Sequence, residues 1–315
     1  MKQQIKVSII IPTYNRANLI CDALESVVQQ SLVDWECLVI DDGSTDNTLA
    51  IVSEFLKKDV RFSFYIRPSH RAKGANACRN FGLEKSLGQY ICWLDSDDVL
   101  HPDHLSIHLN AHDEKSIDAS ITKAKTFEIS IENTKGLWSN IFPTKNALDE
   151  LISGKIAWQT AAVLWDKSVL PVKPFNEKLQ SAQEWTFHII MVLQDISYSL
   201  VDKETVFIRR HEDRIGKDES VKKYKSRFLS RHTILKRLYM ANQLDEFREK
   251  ELINAMLNAL KKSVQYKYIN AVLMMSLSLL SFLPKTRFKL KILKVVLVGI
   301  PSYIFTGKGI TLFKI

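Results

Sequence analysis

The first hundred residues alternate between short apolar runs rich in β-branched side chains and segments whose apolar residues recur every three to four positions, and few folds satisfy that pattern. Residues 6–12, 35–40, 61–66 and 90–94 read as strands. Between them, residues 17–30 carry Leu19, Ile20, Ala23, Leu24, Val27 and Val28 on one helical face. A second helix, capped by Ser44 or Thr45, runs through Lys57, and a third covers 75–86 with Gly88 at its C′ position. Pro102 opens a fourth. Strand–helix units of this length build a parallel sheet covered by helices. Such a sheet gathers its loops at one edge, and residues 12–16, 41–46 and 95–98 all follow the carboxyl ends of strands. That is the edge at which open α/β sheets bind ligands.

Past residue 114 the alternation loosens. Residues 118–131 read as one or two strands, 158–165 as another, 185–194 as a helix and 198–210 as a strand or hairpin; from about 220 onward only helical periodicity remains. The expected architecture is α/β, with a sheet flanked by helices and a C-terminal helical extension. Its expected divisions are 1–115 and 116–215 as two halves of one domain, followed by 216–315.

The stretch LDSDDVLHPDHL places Asp95, Asp97 and Asp98 directly after a buried strand, where crowded carboxylates repel one another unless positive charge intervenes. The trio could serve as acid/base pairs, as ligands of a hard cation or as a helix cap. A second acidic cluster, DDGSTD, on the same edge favours the cation. Closely spaced oxygen donors suit Mg2+ or Mn2+, ions that keep positions open for substrate phosphates. The chain has no GxxxxGK[ST] loop and no GxGxxG after a strand, so a glycine cradle for phosphate is not expected. A cation-held diphosphate remains, with Tyr14 able to stack on a base and Asp42 able to accept from a ring N–H or a hydroxyl.

The segments VSIIIPTYNR, VIDDGSTDNT and GANACRNFGLEKSLGQYICWLDSDD, in this order and at these spacings, resemble the family 2 glycosyltransferases over residues 5–110, and more weakly to about 212. The resemblance implies a GT-A, Rossmann-like mixed sheet and inverting transfer from a nucleotide-diphosphate sugar, a UDP-sugar by the family's habit. It implies that Pro12, Thr13 and Tyr14 line the nucleobase pocket, that Asp42 reads the base edge and that Arg16 and Arg79 contact the nucleotide. Asp95, Ser96 and Asp97 form the DxD element; Asp97 approaches ribose or metal, and Asp98 competes with it as direct ligand. Glu184, in SAQEWTFHII, stands where the family's catalytic aspartate would be, with Gln183 replacing the usual preceding glutamate. His211, in FIRRHEDRIG, resembles a histidine that closes the site on metal or diphosphate, and otherwise reads as a solvated loop residue.

Other features are weighed by the same chemistry. Cys21, Cys37, Cys78 and Cys92 lack CxxC or zinc-finger spacing, so reduced thiols are expected. Only five apolar residues precede Pro12 after the initial Met, too few for a signal-peptide core, so the N-terminus reads as the first strand. His104, His108 and His112 follow helical spacing, but the rise from the first to the last is ~12 Å and no HExxH pattern accompanies them; they are expected to face solvent. Trp158, Trp165 and Trp185 fit either an acceptor-facing or a core role.

Residues 201–315 hold 24 Lys and Arg against 10 Asp and Glu, while 1–200 hold 20 against 25. Two apolar runs, 271–283 and 292–305, flank PKTRFKLK, and neither reaches the ~18–20 residues of a spanning helix. Interleaved apolar and cationic residues predict peripheral membrane contact through 268–305, or a helical hairpin packed on the domain. No helix-turn-helix or RRM signature supports nucleic-acid binding. The sequence thus predicts a metal-dependent glycosyltransferase at the cytoplasmic face of a membrane, acting on a glycan or lipid-linked acceptor. A nucleotidyltransferase or a non-catalytic sugar-nucleotide-binding module is the alternative.

Overall fold

The central strand owes its unbroken apolar run to its place in the sheet. In the computed structural model, which describes residues 5–210, 220–306 and 310–313, β1 (Val7–Thr13) is buried along its whole length. It pairs in parallel with β2 (Trp35–Asp41) on one side and β4 (Tyr90–Trp93) on the other, and β3 (Phe62–Ile66) extends the sheet beyond β2. A strand paired on both edges and covered on both faces has no position left for a polar alternate. Val7, Ile9 and Ile11 join one core with Ile20, Ala23, Leu24 and Val27 of α1 (Ile20–Val28) and Val52 of α2 (Thr48–Lys58). Ile10 faces the other way, toward α3 (Ala75–Lys85): a Cβ on Gly82 of that helix would lie 2.3 Å from Ile10 Cγ2. Glycine is what lets helix and sheet approach there.

The residues form two units. One contains Met1–Ala147, Lys155–Lys178 and Met191–Glu212; the other contains Leu148–Gly154, Leu179–Ile190 and Asp213–Ile315. Where the sequence suggests one boundary near 215, the contacts group 148–154 and 179–190 with the C-terminal helices.

All nine described strands of the first unit form one sheet, in the order β3-β2-β1-β4-β8-β6-β9-β5, with β7 (Gly136–Leu137) paired to β6 (Ala119–Phe127). From β1 the chain builds outward to β2 and β3, then returns to β1's other side as β4. The carboxyl ends of β1 and β4 thus flank a topological switch point. Beyond β4 the sheet becomes mixed: β8 (Val163–Asp166) runs antiparallel to β4 and β6, β9 (Tyr198–Arg209) parallel to β6, and β5 (Val99–Leu100) antiparallel to β9.

Several local expectations change. Gly88 is not a left-handed helix cap; α3 ends at Ser86 in extended geometry. Gly88 instead abuts β1, where an added Cβ would sit 2.6 Å from the Ser8 amide nitrogen, and its N–H donates to Ser8 Oγ at 2.8 Å. Residues 160–162 form a short 3-10 turn before β8, whose first amides donate to the Gln159 side chain. Residues 198–209 form one strand rather than a hairpin.

The histidines of α4 (His104–Glu114) are buried, contrary to the expectation of a solvent face. Their inner environment is polar, which the helical pattern alone does not disclose. His104 Nδ1 meets Thr205 Oγ1 at 2.8 Å, and His108 meets Ser120 Oγ at 2.6 Å and Thr122 Oγ1 at 3.2 Å. His112 Nδ1 meets the Ile117 carbonyl at 3.1 Å. Burial pushes the His104 imidazolium down to about 3 and that of His108 well below its usual range, so both rings are neutral.

The second unit contains residues 148–153 of α5 (Ala147–Ser153) and 183–190 of α6 (Gln183–Val192), together with the C-terminal helices. These are α7 (Val221–Met240), α8 (Glu246–Gln265), α9 (Ile269–Phe282), α10 (Lys289–Lys294) and, after a π turn at Val295–Gly299, α11 (Ile300–Thr306). Ser220 and Asp245 cap α7 and α8 by accepting from Lys223 and Arg248 amides. The Trp185 indole donates to the Leu151 carbonyl at 2.8 Å and lies under the Arg231 guanidinium at 4.0 Å. Arg248 pairs with Asp149 at 2.6 Å. Among the described residues no helix is long and apolar enough to cross a membrane.

Candidate active site

The switch point is built by side chains that tie strand-end loops together. Asp41, the last residue of β2, is buried and accepts the Gly43 and Ser44 amides at 2.9 and 2.8 Å, which shapes the DDGS turn. Gly43 has φ +88°, a conformation that suits glycine. Asn15, also left-handed at φ +49°, donates its amide to Ser44 Oγ and accepts the Thr45 amide, at 2.9 and 2.8 Å. Asp46 accepts from Ala17 and Thr48 amides at 3.1 and 3.0 Å. So Ser44 and Thr45 do not cap α2 as expected: Asn47 occupies the cap position without a side-chain bond, and the two residues staple the turn to the loop after β1.

The predicted nucleotide residues gather on this frame. Pro12 and Thr13 end β1, and the Thr13 hydroxyl is buried with no hydrogen-bond partner. Tyr14 is 41% exposed, with Lys73 Nζ 4.1 Å from its ring centroid. Arg16 donates its amide to Thr48 Oγ1 at 2.9 Å. Asp42 is buried and ion-paired with Arg67 Nε, and Arg67 also donates to the Pro68 and Arg71 carbonyls at 2.9 and 2.7 Å. Sequence reasoning missed Arg67; its signal was a cation directly after β3, at the same edge as the acids. Burial first, and the Asp42 charge second, push the Cys78 thiol up to about 12, so it stays protonated.

The three crowded acids turn out to be unequal. Asp95 pairs with Arg79 at 2.5 Å, and that arginine is almost fully buried, its Nε without a partner. Arg79 also reaches Asn76 Oδ1 at 3.3 Å, and the Phe175 ring lies 5.3 Å from its guanidinium carbon. Asp98 is buried; its carboxylate accepts the Arg209 amide at 3.1 Å and the Gln159 amide group at 3.2 Å. Asp97 is half-buried, and its backbone carbonyl accepts from Arg209 Nε at 3.3 Å. A guanidinium offsets Asp95, and protein donors hold Asp98 between β9 and the loop before β8.

Among the described residues no three His, Cys, Asp or Glu side chains converge as a metal set; Asp95, Asp97 and Asp98 of the expected ligand group lie together on the loop after β4. His211, its fourth member, lies outside the described residues. A hard cation remains compatible with the donor chemistry, because Mg2+ and Mn2+ can rest on one or two carboxylates with phosphate oxygens and water completing the shell. Glu184 lies on the first turn of α6, within the stretch 179–190 that belongs to the helical unit. Trp158 and Trp165 are core residues, and the indole of Trp158 donates to the Ile141 carbonyl at 3.4 Å.

A half-parallel sheet whose switch point carries the DDGS turn, Tyr14 and the Asp95–Asp98 loop is a GT-A type of α/β fold. The family profile described as Glycosyl transferase family 2 matches residues 8–169, just over half of the chain, and the chain belongs to that family. An uncharacterized glycosyltransferase of Rickettsia felis is 32% identical over 205 residues, 65% of this chain and 33% of that protein. The GalNAc(5)-diNAcBac-PP-undecaprenol beta-1,3-glucosyltransferase of Campylobacter jejuni is 30% identical over 176 residues, 55% of each. The chain thus spans a third to about half of the length of these relatives. Among solved structures, residues 1–349 of S. aureus TarS in complex with UDP align with TM-score 0.67 at 19% identity, covering 98% of this chain and 89% of that one. A Pyrobaculum calidifontis mannosyltransferase in complex with GDP-Man and Mn2+ aligns with TM-score 0.51 at 14% identity, covering 98% and 84%. At these identities the likeness is one of fold.

Proposed function

We propose that the chain transfers a sugar from a nucleotide-diphosphate sugar, in first place a UDP-sugar, to a hydroxyl of a glycan or lipid-linked acceptor with inversion at the anomeric carbon. The carrying observation is the switch-point edge, where buried Thr13 Oγ1 and Arg79 Nε lack protein partners beside the acidic loop. Buried donors left unsatisfied cost free energy unless a ligand meets them. Thr13 and the Arg67-oriented carboxylate of Asp42 would bind the base edge, with Tyr14 stacking on its face. The UDP held by the TarS structure, a likeness of fold, supports a UDP-sugar as donor. The undecaprenol-linked substrate in the Campylobacter relative's name supports a lipid-linked acceptor.

Asp97 is the carboxylate we assign to Mn2+ or Mg2+, which supplies charge neutralisation for the departing diphosphate when bound. Glu184 is the proposed base: it takes the acceptor hydroxyl's proton as the acceptor oxygen bonds to the anomeric carbon and the bond to the diphosphate oxygen breaks. The test is turnover by the purified full chain on UDP-, GDP- and dTDP-sugars, with products read by mass spectrometry. Glu184→Gln is expected to lower kcat by about 10²–10⁴-fold with donor affinity retained. Asp97→Ala is expected to abolish Mn2+-linked UDP uptake in calorimetry. Wild-type turnover in the first variant, or wild-type uptake in the second, removes that residue from its role.

A further inference from the structure

No Asp or Glu follows Glu251, whereas ten Lys or Arg do. A soluble helical surface ordinarily mixes both signs, so a one-signed stretch of this length calls for a negatively charged surface to meet it. The same stretch carries large apolar side chains on the outside. On α9, Ala271, Met275, Leu279 and Phe282 point into the helical unit, while Ile269, Leu273 and Leu277 lie two residues out of phase and are 75%, 59% and 58% exposed. Successive steps of four put these three on one stripe, roughly opposite the buried one.

The following segment repeats the arrangement. Ile292, Val295, Gly299 and Ile300 are buried, while Leu290, Lys294, Leu297 and Val298 are exposed at steps of four, three and one, across the π turn. Ile304 and Phe305 continue the exposed apolar surface on α11, Phe305 at 85%. Lys285, Arg287, Lys289 and Lys294 are all exposed around these leucines.

We propose that the outward face of α9, α10 and α11 is a docking surface for an anionic lipid bilayer, lying in the interface with leucines in the acyl boundary and lysines at the phosphates. Charge complementarity selects this occupant: Arg287 pairs with the buried Glu249 at 3.6 Å, but Lys285, Lys289 and Lys294 have no acid after Glu251 in the chain to offset them and match anionic headgroups, each contributing roughly fivefold in partition near the surface. The apolar stripe selects a bilayer over a nucleic acid, because leucine and isoleucine ridges gain nothing from a phosphodiester backbone but gain from an acyl boundary. The inference stands apart from the transfer reaction and needs no donor or acceptor.

The test is flotation of the full chain with phosphatidylcholine vesicles, with and without phosphatidylglycerol, at about 0.1 M and about 0.5 M salt. Binding is expected on the phosphatidylglycerol vesicles, falling roughly tenfold or more without that lipid or at high salt. Leu273→Glu with Leu277→Glu, both at exposed positions, is expected to abolish flotation at unchanged circular dichroism, and Lys289→Glu with Lys294→Glu to weaken it at least tenfold. The proposal is overturned by any of four results: no flotation on anionic vesicles; undiminished flotation of the leucine variant; preference for duplex DNA over vesicles; or a homodimer in ultracentrifugation that the leucine variant dissolves.

Discussion

Asp98 is the residue at which charge and structure separate most clearly. Its neighbours in the sequence invite a metal-ligand reading, yet its carboxylate holds the Arg209 amide and the Gln159 amide group in a buried setting. Asp98→Ala leaves both donors unmet, and a buried unmet donor of this kind costs about 1–3 kcal/mol. We expect a loss of stability of at least about 2 kcal/mol in urea unfolding, with Asp98→Asn recovering part of it. A variant as stable as the parent would show that the carboxylate does not strut β9. Asp42 shows the same logic in the other direction. Its charge is oriented by Arg67, a residue 25 positions away that only the parallel pairing of β2 and β3 brings alongside.

Helix α4 carries the clearest element-scale consequence. Its imidazoles are neutral because burial disfavours the imidazolium, with His104 held down to about 3. In the unfolded chain a histidine takes its proton near pH 6.5. Above that pH neither state is protonated at His104 and the stability is fully present; as pH falls from 6.5 toward 3 the unfolded state binds a proton that the folded state refuses, and stability is lost. The slope is about 1.4 kcal/mol per pH unit per histidine. His104 alone therefore accounts for a decrease of about 2 kcal/mol between pH 7.5 and 5.0, and His108 acts in the same direction. Urea unfolding at the two pH values measures it, and His104→Leu should flatten the profile by one proton. An unchanged slope in that variant would mean that His104 is accessible to protons in the folded state.

On the scale of the whole molecule, the grouping of 148–154 and 179–190 with the C-terminal helices makes the two units interleaved in sequence. Trp185, Leu151 and Asp149 find their described partners among themselves and on α7 and α8. A fragment ending at residue 215 removes Arg231 and Arg248 and leaves the apolar residues of α5 and α6 uncovered. That fragment is expected to bind a hydrophobic dye and to melt at least about 5 °C below the full chain, the shift that ~1–2 kcal/mol produces in a domain of this size. A fragment with the full chain's melting temperature and no dye binding would show that the helical unit contributes nothing to those segments.

The alternation of apolar runs and helical periods, the acids at strand ends and the family motifs were legible in the chain because each is local: strand pleat, helix turn and loop chemistry act within about ten residues. They determined the strands of the parallel half, the loops gathered at their carboxyl ends and the family. Other features depended on partners brought from far along the chain. Whether His108 met water or Ser120, whether Gly88 ended a helix or admitted β1, and whether Asp95 faced a cation or Arg79 were decided by packing. Burial and pairing are properties of the neighbours a residue acquires, and only the tertiary fold supplies those neighbours.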